Sequence, residues 1–241
     1  MRYSLAKRTT AEAIGTGLLV AAVIGSGIMA DRLSGGNVAL ALLANTIATG
    51  SALVALILTF GPISGAHLNP AVSLADVIEK GLSSRDFPLY AVAQILGGCA
   101  GAVLANLMFH EPIIAWSSHP RAGFPQLLGE FVATFGLLAV IWGCIRLRAS
   151  AVPFAVAAWI TSAYWFTSST SFANPAVTIA RCLSDTFAGI RPVDVVPFIF
   201  AQLLGAIAAT LLFRWFKPIT PAEAERVMVP KTTNITSGLD D

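Results

Sequence analysis

The sequence predicts an all-α membrane protein with six transmembrane helices and two re-entrant half-helices, arranged as an inverted 3+3 repeat. Hydrophobic residues make up 56% of the 241-residue chain and charged residues only 12%, whereas soluble domains carry about 25% charged residues. Six apolar segments approach the roughly 20 residues that a spanning helix needs. They lie at about 11–30, 38–60, 87–109, 127–145, 149–169 and 193–216.

Three segments of the first half recur in the same order in the second half. TAEAIGTGLLV at 10–20 matches LGEFVATFGLL at 128–138, SGAHLNPAVSLA at 64–75 matches TSFANPAVTIA at 170–180, and AVAQILGGCAGAVLANLMF at 91–109 matches FIFAQLLGAIAATLLFRWF at 198–216. Each half has three spans, an odd number, so the second half enters the membrane from the opposite side. Such repeats place a site near the bilayer midplane. We predict one channel domain at 1–216, with repeats at about 8–110 and 126–216, and a cytoplasmic tail at 217–241.

The basic residues are distributed unevenly across the predicted membrane. Arg181 lies in the second short apolar segment and is counted on neither side. Of the others, only Arg32, Arg121 and Arg191 lie on one side of the six spans, and the remaining eleven Lys and Arg residues lie on the opposite side. The positive-inside rule then places both termini in the cytoplasm. Because these residues flank spans, they argue against nucleic-acid binding. Lys7 and Arg8 before an apolar run are also compatible with a signal peptide, but Glu12 within that run and five later spans favour a retained first helix.

Each half carries one Asn-Pro-Ala motif, Asn69-Pro70-Ala71 in the first and Asn174-Pro175-Ala176 in the second. Asn is a strong helix N-cap residue, and Pro is favoured at the first helical position. Each motif therefore predicts the start of a short helix at membrane depth, where irregular backbone is tolerated only if it is buried in protein or lines a wet cavity. Two helix starts meeting at the midplane would present positive dipole ends that repel protons and cations.

The remaining reactive residue types do not form a site pattern. Cys99, Cys144 and Cys182 have no metal-ligand spacing, and we interpret them as buried apolar residues. His110 and His119 lie nine residues apart in a predicted loop, which is weak evidence for a metal. We therefore expect no metal site, no cofactor and no enzymatic activity.

The motifs resemble the aquaporin (major intrinsic protein) family over nearly all of residues 8–216, through SGAHLNPAV at 64–72, ANPAVTIAR at 173–181, and one glutamate in the first helix of each half. The resemblance implies passive flow of small neutral solutes, one pore per subunit and a homotetramer in the lipid bilayer. It implies that Glu12 and Glu130 accept backbone donors from the re-entrant loops. It also implies that His67 lines the pore, with a buried loop brace as the alternative. Short loops suggest a bacterial inner membrane.

The chain departs from the family pattern where most aquaporins have an arginine after the second motif, because Val177 stands there. Family spacing assigns Thr49, Ser162 and Ser171 as the other filter residues, which predicts a wide, neutral filter. Pore diameter and lining donors set selectivity, so this filter favours glycerol, urea or neutral metalloid hydroxides over water alone. With Val177 at this position, the chain resembles bacterial AqpS-type aquaglyceroporins associated with arsenic resistance. Arsenous acid is therefore the most specific substrate hypothesis.

Several alternatives stay open at the level of sequence. Arg181, one helical turn beyond Val177, either replaces the lost cation barrier or bonds outer-loop carbonyls or Asp185. Cys182 either packs in the interior or meets a thiophilic solute. The alternatives to an aquaglyceroporin-like channel are a water-selective aquaporin, an energy-coupled transporter and a non-conducting structural membrane protein.

Overall fold

The computed structural model describes residues 3–216, so the predicted tail at 217–241 lies outside the described residues. Six helices in the described part are long and apolar enough to cross a membrane, and two short helices of nine and seven residues complete the two halves. The predicted fold class is confirmed. In chain order the α-helices are α1 Leu5–Leu33, α2 Val38–Ser64, α3 Pro70–Ile78, α4 Phe87–Met108, α5 Phe124–Leu147, α6 Val152–Phe166, α7 Pro175–Arg181 and α8 Pro192–Phe216. A 3₁₀ turn at Ala149–Ala151 precedes α6 and brings that span to 18 residues.

The two halves pack in the same way. In the first half α1 packs most extensively on α4, and in the second half α5 packs on α8. Glycines make these close crossings possible, because a Cβ atom on Gly97 would overlap the carbonyl oxygen of Ala13, and one on Gly205 would overlap that of Phe131. Small residues at helix crossings are typical of membrane proteins, where backbones approach closely.

Apolar side chains lie both inside the bundle and on its outer surface. Ile24 and Leu138 are fully buried, whereas Leu96 and Phe200 are about two-thirds exposed, at 64% and 65%. A helix that is apolar all round suits a membrane span, since its outer face meets lipid rather than water. We call the side of the bundle on which α1 begins the N-terminal face, and the side on which α1 ends the far face.

The connection between the halves, residues 109–123, covers the far face and is tied to the segment between α7 and α8. The backbone N–H of Ala115 donates to Leu183 O at 3.0 Å, and that of Arg191 donates to His119 O at 2.9 Å. The far-face opening of the bundle is therefore built from both halves of the chain.

Candidate functional site

The two Asn-Pro-Ala motifs bring the N-termini of α3 and α7 together in the middle of the bundle. Each asparagine oxygen caps its own helix by accepting from the backbone N–H two residues on, at 2.8 Å for Asn69 and 2.9 Å for Asn174. Each amide nitrogen donates across to the other half, from Asn69 to Ala173 O at 2.8 Å and from Asn174 to Leu68 O at 2.7 Å. These reciprocal bonds join the two half-helix starts.

Both asparagines also line the central cavity. An amide group carries two N–H donors, and one donor of each asparagine is used in the cross-bond. The second is available to a solute, next to the positive ends of two helix dipoles. The centre of the cavity therefore offers hydrogen-bond donors and a positive potential.

The re-entrant loops before α3 and α7 have the same unusual backbone. Ala66 and Leu68 have φ values of 46° and 49°, and Ser171 and Ala173 have φ values of 51° and 50°. Residues other than glycine pay a conformational cost in this left-handed region, so the surrounding structure must hold them there.

Two buried glutamates supply the contacts that hold these loops. Glu12 accepts from the backbone N–H groups of His67 at 3.0 Å and Leu68 at 2.6 Å. Glu130 accepts from those of Phe172 at 2.8 Å and Ala173 at 2.9 Å. Both carboxylates are fully buried, and their loop contacts are those that a support role requires.

A cavity runs past the half-helix starts and is lined by both halves of the chain. Its volume of ≈ 60 Å³ holds a few water molecules, since one water centre needs roughly 10–15 Å³. Chain direction puts the apolar side chains of Leu53, Ile57, Ile141 and Val156 in the part towards the N-terminal face, where His67 also lines the cavity. A narrow apolar wall with polar groups at the centre favours small uncharged solutes.

Towards the far face the cavity becomes more polar. The Thr49 hydroxyl lies 3.2 Å from the Tyr164 hydroxyl, and both residues line the cavity together with Ser171 and Val177. Within the described chain, Ser171 Oγ is buried without a hydrogen-bond partner, so it can bond a solute in the cavity. We call Thr49, Tyr164, Ser171 and Val177 the far-face filter.

The sequence-based assignment of Ser162 to this filter is wrong. Ser162 is exposed on the outer surface of the bundle, where its hydroxyl donates to Trp159 O at 2.9 Å. The cavity face of α6 is formed by Val156, Ile160 and Tyr164, which follow one another at four-residue spacing. Ser162 lies two residues from Tyr164, about 200° around the helix, and therefore faces away from the cavity.

Arg181 is buried and lines the far-face end of the cavity. Its Nε donates to the carbonyl of Ala188, and its guanidinium carbon lies 3.4 Å from the centre of the Phe172 ring. Arg181 thus bonds a carbonyl of the loop between α7 and α8, as one alternative proposed, and also places its charge at the cavity. Asp185 instead accepts from the Ser118 backbone N–H at 2.8 Å, a bond that holds the pKa of this carboxyl below its ordinary value.

A second arginine reaches the same place from the connection between the halves. Arg121 Nε donates to Gly189 O at 2.8 Å, its Nη1 lies 3.2 Å from Ser169 O, and its guanidinium carbon is 4.9 Å from the Phe172 ring centre. Burial lowers the pKa of this guanidinium from its ordinary value. The sequence predicted Arg121 only as a loop charge on that side of the membrane, because its contacts depend on tertiary folding.

His67 both lines the cavity and bonds within the protein. Its Nδ1 lies 3.0 Å from Ser73 Oγ, and its Nε2 lies 3.4 Å from Asp76 Oδ2. The structure thus combines the pore-lining position and the loop-brace contacts that the sequence left as alternatives.

Cys182 lies outside the cavity wall as far as the described residues define it. It is buried in a cluster with Phe172, Ile190 and Phe198, which corresponds to the packing alternative. Across residues 3–216 there is no group of three or more His, Cys, Asp or Glu side chains that could hold a metal ion.

Six spans, two half-helices that meet start to start, and a narrow cavity between them define a membrane channel built from an inverted repeat. The chain belongs to the major intrinsic protein family, because it matches that family over residues 1–148 and 142–239. It is 54% identical over 220 residues to a protein named Aquaglyceroporin AqpS from Rhizobium meliloti strain 1021, covering 91% of this chain and 94% of that protein.

More distant similarities agree with this family. The chain is 32% identical over 244 residues to a probable aquaporin AqpM of Archaeoglobus fulgidus, covering 89% of this chain and 98% of that protein. Its fold is similar to the X-ray structure of the aquaglyceroporin from Plasmodium falciparum, with a TM-score of 0.68 and 22% identity, over 88% of this chain and 95% of that one. At this identity the structural likeness supports the fold alone.

Proposed function

We propose that the protein is a passive membrane channel for small uncharged solutes, namely glycerol and neutral metalloid hydroxides such as arsenous acid, together with water. The observation that carries this proposal is the far-face filter. There the hydroxyls of Thr49, Tyr164 and Ser171 line the same cavity as the apolar side chain of Val177. A polyol can exchange hydrogen bonds with the hydroxyls while its carbon side contacts the valine.

Charge at the far-face end supports selectivity for neutral solutes. Arg181 stands at the cavity wall, and Arg121 lies over the same Phe172 ring. Two guanidinium groups in a poorly solvated opening repel cations more strongly than they would in water. Together with the positive half-helix ends at Asn69 and Asn174, they provide two successive barriers to protons and cations.

The similar proteins support the solute class. A relative that shares 54% identity carries the name aquaglyceroporin, and we extend glycerol conduction to this chain on that basis and on the filter. Arsenous acid is added because it is neutral at pH 7 and polyol-like in shape, and because Val177 resembles the AqpS-type pattern.

A second candidate is a water-selective aquaporin, and Tyr164 favours it. This buried side chain, 3% exposed, occupies the filter in place of the small Ser162 predicted from the sequence. The filter is therefore narrower than the sequence suggested. The Tyr164 hydroxyl, however, also adds a hydrogen-bonding group for polyols.

The assembly and location are part of the same proposal. We propose a homotetramer in the bacterial inner membrane, with the N-terminus and the 217–241 tail in the cytoplasm. The excess of Lys and Arg on one side of the six spans supports this orientation. Transport in this scheme needs no catalytic step and no cofactor.

Stopped-flow light scattering on reconstituted protein tests the proposal. Vesicles with protein and vesicles of lipid alone are exposed to gradients of water, glycerol, urea and arsenous acid. We expect glycerol and arsenous acid to equilibrate faster through the protein than through lipid. Fast water flux without glycerol flux would support the water-selective alternative, and swelling no faster than lipid for every solute would overturn both.

A further inference from the structure

The two halves differ at two equivalent positions, one in the re-entrant loop and one in the half-helix that follows it. When the motifs are superposed in sequence on Asn69 and Asn174, His67 corresponds to Phe172 and Asp76 corresponds to Arg181. In each half the two residues are in contact, as a 3.4 Å His67–Asp76 pair towards the N-terminal face and as an arginine on an aromatic ring towards the far face. The charge at this position is therefore reversed between the halves.

Both halves share a buried hydrogen-bond chain, which ends differently in each. In the second half, Gln202 Nε2 donates to Glu130 and to Thr178 Oγ1, the latter at 2.8 Å. The Thr178 hydroxyl then donates to the backbone carbonyl of Asn174 at 2.8 Å. This hydrogen-bond chain ends on the backbone and does not continue to Phe172 or Arg181, the second-half counterparts of His67 and Asp76.

In the first half the hydrogen-bond chain continues to His67, which lines the cavity. Gln94 Nε2 donates to Glu12 at 2.8 Å and to Ser73 Oγ at 3.0 Å. Ser73 then has its own hydrogen for His67 Nδ1, 3.0 Å away. When Ser73 donates to Nδ1, the ring proton of neutral His67 is on Nε2, the nitrogen that lies 3.4 Å from Asp76 Oδ2.

Burying Asp76 is costly, because a carboxylate in a protein interior needs partners. Asp76 is only 4% exposed, and in the described part of the chain its Oδ1 has no hydrogen-bond partner. Since the second half shows that the fold does not need this extension, the cost points to a functional role.

We propose that Asp76 is a positioning residue that holds the His67 ring against the cavity wall and so keeps the N-terminal-face half of the pore open to solutes larger than water. With Ser73 at one nitrogen and Asp76 at the other, the ring has one favoured orientation. Without Asp76 the ring can turn into a cavity that is narrow and apolar on that side. A turned ring obstructs glycerol more than water, because glycerol needs the wider passage.

The test rests on the proposed glycerol conduction and uses the full-length protein in vesicles. Asp76→Ala removes the partner of Nε2, whereas Asp76→Asn keeps an oxygen that can accept from it. Losing this polar contact shifts an equilibrium by up to roughly tenfold, the effect of about one hydrogen bond. We therefore expect Asp76→Ala to lower the ratio of glycerol to water permeability by about tenfold, and Asp76→Asn to recover most of it.

Repeating Asp76→Ala in the His67→Phe variant separates a positioning role from a general loss of structure. His67→Phe places in the first half the residue that the second half has at Phe172, and a phenyl ring cannot bond Asp76. If Asp76 acts through His67, adding Asp76→Ala to His67→Phe changes the permeability ratio no further. An equal fall in both backgrounds, or no fall in the single variant while the wild type conducts glycerol, overturns the inference. A wild type without glycerol flux would instead overturn the proposed function.

Discussion

Replacing Tyr164 with alanine tests the position of the far-face filter. Tyr164 lines the cavity and lies 3.2 Å from the Thr49 hydroxyl, so the substitution removes the bulkiest filter side chain. Thr49 keeps access to water in the cavity, so the lost neutral hydrogen bond costs about 0.5–1.5 kcal/mol of stability. Tyr164 is also packed in the buried core, where truncation of a large aromatic side chain costs about 3–5 kcal/mol. Thermal unfolding in detergent therefore checks that the variant is folded before its flux is measured.

The expected change in flux follows from the size of the removed group. Alanine lacks the phenol ring and its hydroxyl, which frees room for about three water molecules at ~30 Å³ each. If the ring raises the barrier to glycerol by as much as one hydrogen bond, about 1.4 kcal/mol, its removal speeds glycerol flux roughly tenfold. Water already fits the filter, so its permeability rises less.

Ser162→Ala is the matched control, because Ser162 lies on the same helix but faces outwards. Stopped-flow light scattering on both variants gives the glycerol and water permeabilities per reconstituted protein. We expect Ser162→Ala to behave like the wild type. Enhanced glycerol flux in Ser162→Ala, with none in Tyr164→Ala, would refute the assignment and restore the filter predicted from family spacing.

Three further predictions concern the filter, the loops and the helix crossings. Val177→Arg adds a long cation at the filter one turn from another arginine, and we expect lower glycerol and arsenous acid flux with water flux retained. Glu130→Ala leaves two loop N–H groups without their acceptor, at roughly 1–3 kcal/mol each, and should lower the thermal unfolding temperature in detergent. Gly97→Ala places a methyl group on the Ala13 carbonyl and should also destabilise the protein.

Each of these predictions has its own control. Val177→Thr is the control for the filter, because it nearly preserves side-chain size and should keep glycerol flux. Unchanged metalloid flux in Val177→Arg would contradict the filter assignment. Glu130→Gln keeps one acceptor and should lose less stability than Glu130→Ala. For the crossing, Gly143→Ala meets only a ring carbon of Phe213 at 3.7 Å. Equal unfolding temperatures for the Gly97 and Gly143 variants would argue against close helix contact.

The fold was predictable because its signals are local and repeated. Span lengths follow from apolar runs, and each Asn-Pro-Ala motif contains both the cap and the first residue of its half-helix. The odd number of spans in each half then determines the inversion. None of these inferences requires knowledge of how side chains meet across the bundle.

The filter was less predictable because it depends on how each helix is rotated. Counting back from Asn174 assumes that the loop before α7 is spaced as in the family, and this gave Ser162. The four-residue spacing of Val156, Ile160 and Tyr164 is a local signal of one helix face, and it would have pointed to the tyrosine. The sequence carries no comparable signal for Arg121, whose contacts come from folding the connection over the far face.

The central claim is that uncharged solutes move passively through a pore that excludes protons. The most direct test is glycerol permeability of wild-type vesicles with and without an imposed proton gradient, with pH recorded inside the vesicles. We predict glycerol flux above that of lipid, proportional to the glycerol gradient, equal in both conditions and without a protein-dependent proton leak. Glycerol accumulation driven by the proton gradient would contradict the claim and favour an energy-coupled transporter.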